Sequence, residues 1–200
     1  LCVEKNTEEL RGTKVLKNIR HGERMKIHTG DTFAKKRSWY SIGIRQPAHL
    51  IMSRGVGSRH YCTLNTAKAI ASGSFTEIRL KKSADKEAIW LFFNSALGWL
   101  FTELSGRSSM GGGMLKVDPT DIRKLRVLNP KYVKSSMLPK LRSLLKRNVG
   151  TVEEEISAED RLLIDDYILG DILGLSESEQ DEIRRSVVEL VKVRNEKAGS

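Results

Sequence analysis

The sequence predicts an α+β fold in which an irregular, mostly antiparallel sheet packs on a long buried helix and is followed by a C-terminal helical segment. Three observations carry this expectation. The run starting at Ile89 is the most apolar in the chain. Leu91, Phe92, Ala96, Leu97, Leu100, Phe101 and Leu104 recur in it at helical spacing, and Ala88, Ile89, Trp90, Phe93 and Trp99 fill most of the remaining circumference. A helix apolar on most sides is buried on most sides. Ahead of it, residues 31–82 read as short runs of apolar and β-branched residues separated by turns rich in Arg, Lys and Gly. Behind it, Ser157-Ala158-Glu159-Asp160 and Ser176-Glu177-Ser178-Glu179, each a hydroxyl followed three residues later by an acid, start two segments that read as a helical hairpin.

In order, Asn6-Thr7-Glu8-Glu9 predicts a first helix with Thr7 as N-cap and acids in its first turn, interrupted by Gly12 and ending near His21-Gly22. Strands are expected at 39–44, 49–52, 60–64 and 75–80, joined by basic loops such as Arg54-Gly55-Val56-Gly57-Ser58-Arg59. The buried helix is expected over 84–104. Met114 to Val117 and Leu125 to Leu128 read as further short strands. Between them, Asp118-Pro119 has the form of an N-cap with proline at the first helical position. Residues 132–147 predict a basic helix, with Pro139 as an alternative start. Helices at 158–173 and 177–196 joined at Gly174-Leu175 complete the chain. Ile164, Ile168, Leu169 and Ile172 form one apolar face, and Ile183, Val187, Leu190, Val191 and Arg194 line the other, so the hairpin needs a partner surface. The expected divisions are a lead-in helix and linker (1–30), the sheet-and-helix body (31–130), the basic helix (131–150) and the acidic hairpin (151–200).

Two hundred residues suffice for a real core. The chain opens at Leu1 without methionine, which is expected of a fragment or an excised domain. No run reaches the roughly 18–20 apolar residues of a membrane span, and the first residues lack a signal-peptide core, so a cytoplasmic location is expected. Cys2 and Cys62 are the only cysteines, too few for a disulfide framework or a zinc knuckle. His60-x-Cys62 has no second ligand pair nearby, and no metal site is expected. Charge is unevenly spread: residues 1–150 hold 29 Lys and Arg against 11 Asp and Glu (+18), and residues 151–200 hold 6 against 14 (−8), giving the overall +10. Such a body attracts a polyanion, most commonly nucleic acid.

The buried helix runs into Gly106-Arg107-Ser108-Ser109-Met110-Gly111-Gly112-Gly113, a loop that combines bare backbone N–H groups with one cation and two hydroxyls. Nucleotide P-loop, GxSxG, HExxH and dinucleotide-binding patterns are all missing, so no catalytic residues are assigned. Asn129-Pro130-Lys131-Tyr132 is near the Asn-Pro-Pro-Tyr motif of amino-group DNA methyltransferases. Lys131 replaces its second proline, however, and a strand-to-helix turn is the simpler reading.

Several motifs occur together in a familiar order: Trp39-Tyr40, Asn65, Phe75-x-x-Ile78, Phe93-Asn94-Ser95, Gly106-Arg107, Gly111-Gly112-Gly113, and Asp121-Ile122-x-x-Leu125-x-Val127-x-Asn129-Pro130. Over about residues 37–130 the chain resembles the C-terminal target-recognition region of adenine-specific DNA methyltransferases of restriction-modification systems, the Eco57I- and TaqI-like group. Phe93 stands where leucine is usual. The resemblance implies a sequence-specific double-stranded DNA recognition domain, with residues 31–130 as its DNA-binding part. It further implies a separate N-terminal methyltransferase domain of the parent chain that holds S-adenosylmethionine and transfers the methyl group, and no cofactor or catalysis in this segment. On that reading Lys35, Lys36, Arg37, Arg54, Arg59, Lys116, Arg123 and Lys124, with the amides of Gly111, Gly112 and Gly113, are expected at the DNA backbone. Arg107, Ser108, Ser109, Arg45 and Gln46 are expected at base edges. Arg107 has an alternative role, capping the C-terminal carbonyls of the preceding helix. Trp39 and Tyr40 read as core aromatics, and Asn94 as a partner for backbone groups of the sheet. Two other function classes stay open: a specificity-subunit-like or other RNA- or DNA-binding module unconnected with methyl transfer, and a small enzyme whose glycine loop takes a phosphorylated substrate.

Overall fold

The computed structural model describes residues 3–36, 38–41, 43, 45–81, 85–108 and 111–199, in two compact units, Leu1–Gln46 and Pro47–Ser200. In the first unit the expected start at Thr7 does not form. The Asn6 side-chain oxygen accepts from the amides of Glu8 and Glu9 at 3.0 Å each, which gives the backbone a turn in place of a helix. Gly12 then takes a left-handed φ of 78°. Helix α1 (Lys14–Arg24) starts only afterwards, where Thr13 Oγ1 accepts from the Leu16 amide at 3.2 Å. It continues through Gly22, which lies so close to the Trp39 ring that a Cβ there would sit 2.4 Å from it. Helix α2 (Asp31–Ala34) follows. Trp39 and Tyr40 pack on Leu10, Leu16 and Ile19 as core aromatics. They lie in a turn and not in the strand expected at 39–44; Ile42 and Ile44 of that run lie outside the described residues.

The second unit opens with β1 (Leu50–Ser53), β2 (Gly55–Val56), β3 (Cys62–Leu64) and β4 (Phe75–Ile78). β1 is central and antiparallel to both β3 and β4, with Leu50 opposite Leu64 and Ile78, and Met52 opposite Cys62 and Thr76. Leu50 and Met52 alternate inward, as a sheet with one covered face requires.

The single helix expected over 84–104 is two, α3 (Lys86–Phe93) and α4 (Ala96–Ser105). Asn94 ends α3, and its side chain is spent on β3: the amide nitrogen donates to the Cys62 carbonyl at 3.0 Å and to the Trp90 carbonyl at 2.8 Å, and the oxygen accepts from the Cys62 amide. Ser95 is extended, with φ −92° and ψ 161°, and its hydroxyl accepts from the Gly98 amide to start α4. The two helices meet so closely that a Cβ on Gly98 would lie 2.0 Å from the Phe92 carbonyl oxygen. Both pieces are apolar almost all round, so hydropathy does not register the break.

β5 (Leu115–Lys116) pairs with β2 in a separate two-stranded ribbon. Helix α5 (Pro119–Ile122) starts behind Asp118 as expected. Residues 125–128 form no strand, although Leu128 is buried. Asn129-Pro130-Lys131-Tyr132 is a 3-10 turn in which the Asn129 side chain accepts from the Lys131 amide. The basic helix α6 (Leu138–Leu144) takes the later of its two possible starts, with Pro139 in its first turn. Then come α7 (Val152–Glu155), α8 (Glu159–Asp165) continuing as a π-helical stretch Asp166–Ile172, and the long α9 (Glu177–Gly199). Ser176 and Glu179 cap each other reciprocally. Ala158 and not Ser157 stands at the start of α8, with no side-chain cap.

The hairpin finds its partner surface inside the unit. Ile164, Ile168 and Leu169 join α3 and the β1 residues in the main core, and Val187 and Val191 of α9 close over Trp99 and Val152. Buried charges tie these layers. Arg161 donates to Glu155 at 2.7 Å and to the Asn94 carbonyl at 2.9 Å while lying over the Trp99 ring. Burial pushes the Glu155 carboxyl up, but hydrogen bonds from Arg147, Arg161 and the Gly150 amide outweigh it and hold the group down at about 2. Arg194, assigned from sequence to the apolar face of α9, is buried in an ion pair with Glu103 of α4. It also donates to the carbonyls of Val56, Gly57 and Gly113.

Two outcomes follow from this packing. Arg194→Ala strands Glu103 and three carbonyls, and the loss in unfolding free energy measured by denaturant titration is expected to be about 3–5 kcal/mol. Asp165 is buried beneath the α4 N-terminus, where it accepts from the Ala96 amide at 2.8 Å, and burial pushes its carboxyl up to about 6. A carboxyl raised on folding favours the native state most below its unfolded pKa, and that contribution is lost as pH rises through about 6. Asp165→Asn retains an acceptor for Ala96 and is expected to remove that loss, about 2 kcal/mol in unfolding free energy between pH 4 and 7.

Candidate nucleic-acid interface

The β2–β5 ribbon and the segment leaving α4 bring three cations to one carboxylate. Arg107 and Lys116 exchange backbone hydrogen bonds at 2.9 and 2.8 Å, and the Val117 amide donates to the Arg54 carbonyl at 2.8 Å. The Lys116-Val117 backbone is thus flanked by Arg107 on one side and Arg54 on the other. All three side chains converge on Asp118. Arg107 Nη2 lies 2.5 Å from Oδ2 and 3.6 Å from Asp121, Lys116 Nζ is 3.6 Å from Oδ2, and Arg54 donates to Oδ1. The Arg54 hydrogen bond, with the charges of Lys116 and Arg107, holds the Asp118 carboxyl below its ordinary range. Asp121 in turn accepts from the Asp118 amide at 2.9 Å, fixing the turn into α5. Arg107 remains 59% exposed, so a guanidinium oriented by its own acid still faces solvent. It makes this pair and not the alternative cap on α4, whose last amide contact is Gly106 N–H to the Thr102 carbonyl.

The glycine loop is built for close approach. Gly111, Gly112 and Gly113 all take left-handed φ values, 70°, 55° and 69°. A Cβ on Gly111 or Gly112 would meet nothing, whereas one on Gly113 would lie 2.5 Å from the Asn195 side chain and 3.1 Å from its Cα. One end of the loop is therefore seated on α9, where the Gly113 carbonyl accepts from Arg194, and the other stands open. Ser108 is exposed beside it; Ser109 lies outside the described residues.

Of the other sequence-assigned residues, Arg123 and Lys124 are exposed at the end of α5, close in sequence to the Asp118 cluster. Arg59 is exposed after β2 and lies among other residues. Lys35, Lys36, Arg45 and Gln46 are exposed and belong to the first unit, where Lys36 also lies over the Phe33 ring. Arg37 lies outside the described residues. Sequence reasoning took Asp118 only as a helix cap and missed it as the organiser of three cations. The available signal was an acid two residues after Lys116 and facing a basic loop, but the pairing partners come from positions 54 and 107. His60 Nε2 is 2.6 Å from Glu103, and the buried Cys62 thiol is pushed up by desolvation.

A family model for the C-terminal domain of the Type II methyltransferase M.Eco57I matches residues 1–164. The chain belongs to this family. The match to the M.Eco57I C-terminal domain takes in the first unit, the sheet, the Asp118 cluster and the glycine loop, and it ends within α8, before α9. Comparison with curated proteins and with solved structures finds no match. Membership links the chain to a methyltransferase of a restriction-modification system. No described helix is long and apolar enough to cross a membrane.

The two ends of the glycine loop are expected to respond differently to a methyl group. Gly112→Ala carries only the strain of a left-handed alanine, about 1–2 kcal/mol. Gly113→Ala adds the collision with Asn195 and is expected to lower the denaturant midpoint further, by the equivalent of at least about 1 kcal/mol.

Proposed function

We propose that this C-terminal domain recognises double-stranded DNA for the adenine-specific methyltransferase to which it belongs. The observation that carries the reading is the convergence of Arg54, Arg107 and Lys116 on Asp118 beside an open glycine loop. Lys116, Arg54, Arg123 and Lys124, with Arg59, Lys35 and Lys36, supply the counterion-releasing contacts to phosphates. The amides of Gly111 and Gly112, where an added Cβ would meet nothing, add backbone donors. Arg107 is the base-reading candidate. Asp118 holds it from one side, its remaining N–H groups suit the O6 and N7 acceptors of guanine, and Ser108 stands next to it.

S-adenosylmethionine, which the family implies, does not suit the cleft between β3 and α6. That cleft is lined by Arg142, Lys146, Arg147 and Arg161 with no carboxylate, a poor setting for a sulfonium cation. The cofactor and the methyl transfer are assigned to the parent's methyltransferase domain, and this segment contributes selection of the sequence.

Fluorescence anisotropy of the chain with duplex DNA, single-stranded DNA and RNA, from about 50 to 200 mM salt, tests the reading. Duplex binding that weakens steeply with salt is expected; a preference for RNA, or no duplex binding at low salt, would reject it. Once a target is selected from a random pool, Arg107→Ala is expected to reduce discrimination against mismatched duplexes by about 1–3 kcal/mol. Lys124→Gln should weaken all duplexes alike and lower the salt slope by about 1.

A further inference from the structure

The cleft between β3 and α6 lies apart from the Asp118 cluster in its residues and has a different chemistry. It encloses about 560 Å³, within the roughly 300–1,000 Å³ of small-molecule sites. Its buried lining includes Trp90, Asn94 and Arg161, and its exposed lining includes Tyr61, Arg142 and Lys146. Every ionisable side chain in the lining that carries charge at neutral pH is basic. Arg142 is paired with Glu87, and Arg147 with Glu155 and Asp160. Lys146 has no ion pair among the described residues, so its ammonium is the cation available to a ligand. At the other extreme of burial, Arg161 is 2% exposed, and its Nη2 has no acceptor among the described residues. That atom is closed to solvent, so Arg161 forms part of the floor of the cleft without offering a donor to a ligand. Apolar walls from Leu64, Leu145 and Val149 suit a flat neutral ring between these polar ends. Beyond Tyr61 a second depression of about 530 Å³ continues past Arg59 and Asn148, sharing Tyr61, Arg147 and Val149 with the first. The 39%-exposed Tyr61 ring therefore stands at the junction of a continuous basic groove.

We propose that this groove binds an unpaired nucleotide, with the base entering the β3–α6 cleft beside Tyr61 and the phosphate meeting Lys146. The two requirements, a flat ring beside Tyr61 and an anion next to it at Lys146, are met together by a nucleotide. A base held in a duplex has both faces stacked and cannot enter a cleft. The ligand is either a free mononucleotide or one unit of a single strand. The site does not depend on the duplex reading of the Asp118 cluster and uses none of its residues.

Titrations of the whole chain with thymidine and adenosine 5′-monophosphates, inorganic phosphate, a short single-stranded DNA and a duplex of the same length, followed by calorimetry and tryptophan fluorescence, test this. Tyr61→Ala and Lys146→Glu change exposed side chains, and circular dichroism checks that each variant is folded. Saturable single-strand binding is expected that perturbs tryptophan emission and weakens about tenfold or more in each variant, with duplex binding unchanged. Mononucleotide binding with a Kd below about 1 mM, equally sensitive to the variants, would identify the free nucleotide as ligand. Binding confined to the strand would identify the strand. The proposal is overturned if neither ligand binds saturably, if both folded variants bind as well as the parent, or if inorganic phosphate competes as well as the nucleotides do. Duplex binding that fails while single-strand binding persists would remove the recognition reading and leave this one standing.

Discussion

The guanidinium of Arg194 is the point on which the second unit closes. From α9 it reaches the Glu103 carboxylate of α4, the carbonyls of Val56 and Gly57 at the end of β2, and the carbonyl of Gly113 in the glycine loop. Glu103 accepts in addition from His60. Burial alone would push Glu103 up, but the hydrogen bonds from His60 and Arg194 hold it below the usual carboxylate range. Removing the guanidinium leaves the buried Glu103 carboxylate with His60 alone, close to the circumstance in which a buried ion pair matters most. Because the same side chain seats one end of the glycine loop, the candidate interface is positioned from the far end of the chain.

The charge asymmetry of the sequence takes on a second meaning in this setting. An acidic tail after a basic body reads as something a polyanion repels. Several of those acids are in fact internal counter-charges: Glu155 and Asp160 hold Arg147, Glu155 holds Arg161, and Asp165 lies 3.9 Å from Arg184. The acidic segment neutralises the buried Arg161, the partly buried Arg184 and the exposed Arg147, and leaves Lys146, Arg123 and Lys124 facing out.

Much of this architecture was legible in the sequence because periodicity and capping are local. The strands at 50–53, 62–64 and 75–78, the Asp118-Pro119 helix start and the Ser176–Glu179 cap all lie in patterns a few residues long. The Asn94 side chain turned to the sheet as its place in an apolar helix suggested. What could not be read depends on distant partners. The break at Ser95 is stabilised by Asp165, seventy positions on by chain order, which accepts from the first amide of α4. The late start of α1 is a local exception, a competition from the Asn6 side chain, whereas β2 reads as a loop until β5 is beside it. At the candidate interface the cations were legible as cations. Their convergence on Asp118 was not, since it joins positions 54, 107 and 116 across two turns of chain.

The Asp118 cluster also bears on the entropy of any encounter. A free arginine side chain at the surface samples many rotamers, and fixing it costs up to about 2 kcal/mol. In this chain the Arg107 guanidinium is already held at 2.5 Å from a carboxylate that is itself anchored by Arg54 and by the turn into α5. The loss of freedom falls on folding, so whatever meets Arg107 meets a donor array whose direction was set beforehand. Its interaction then reports differences among partners more than the cost of ordering the side chain.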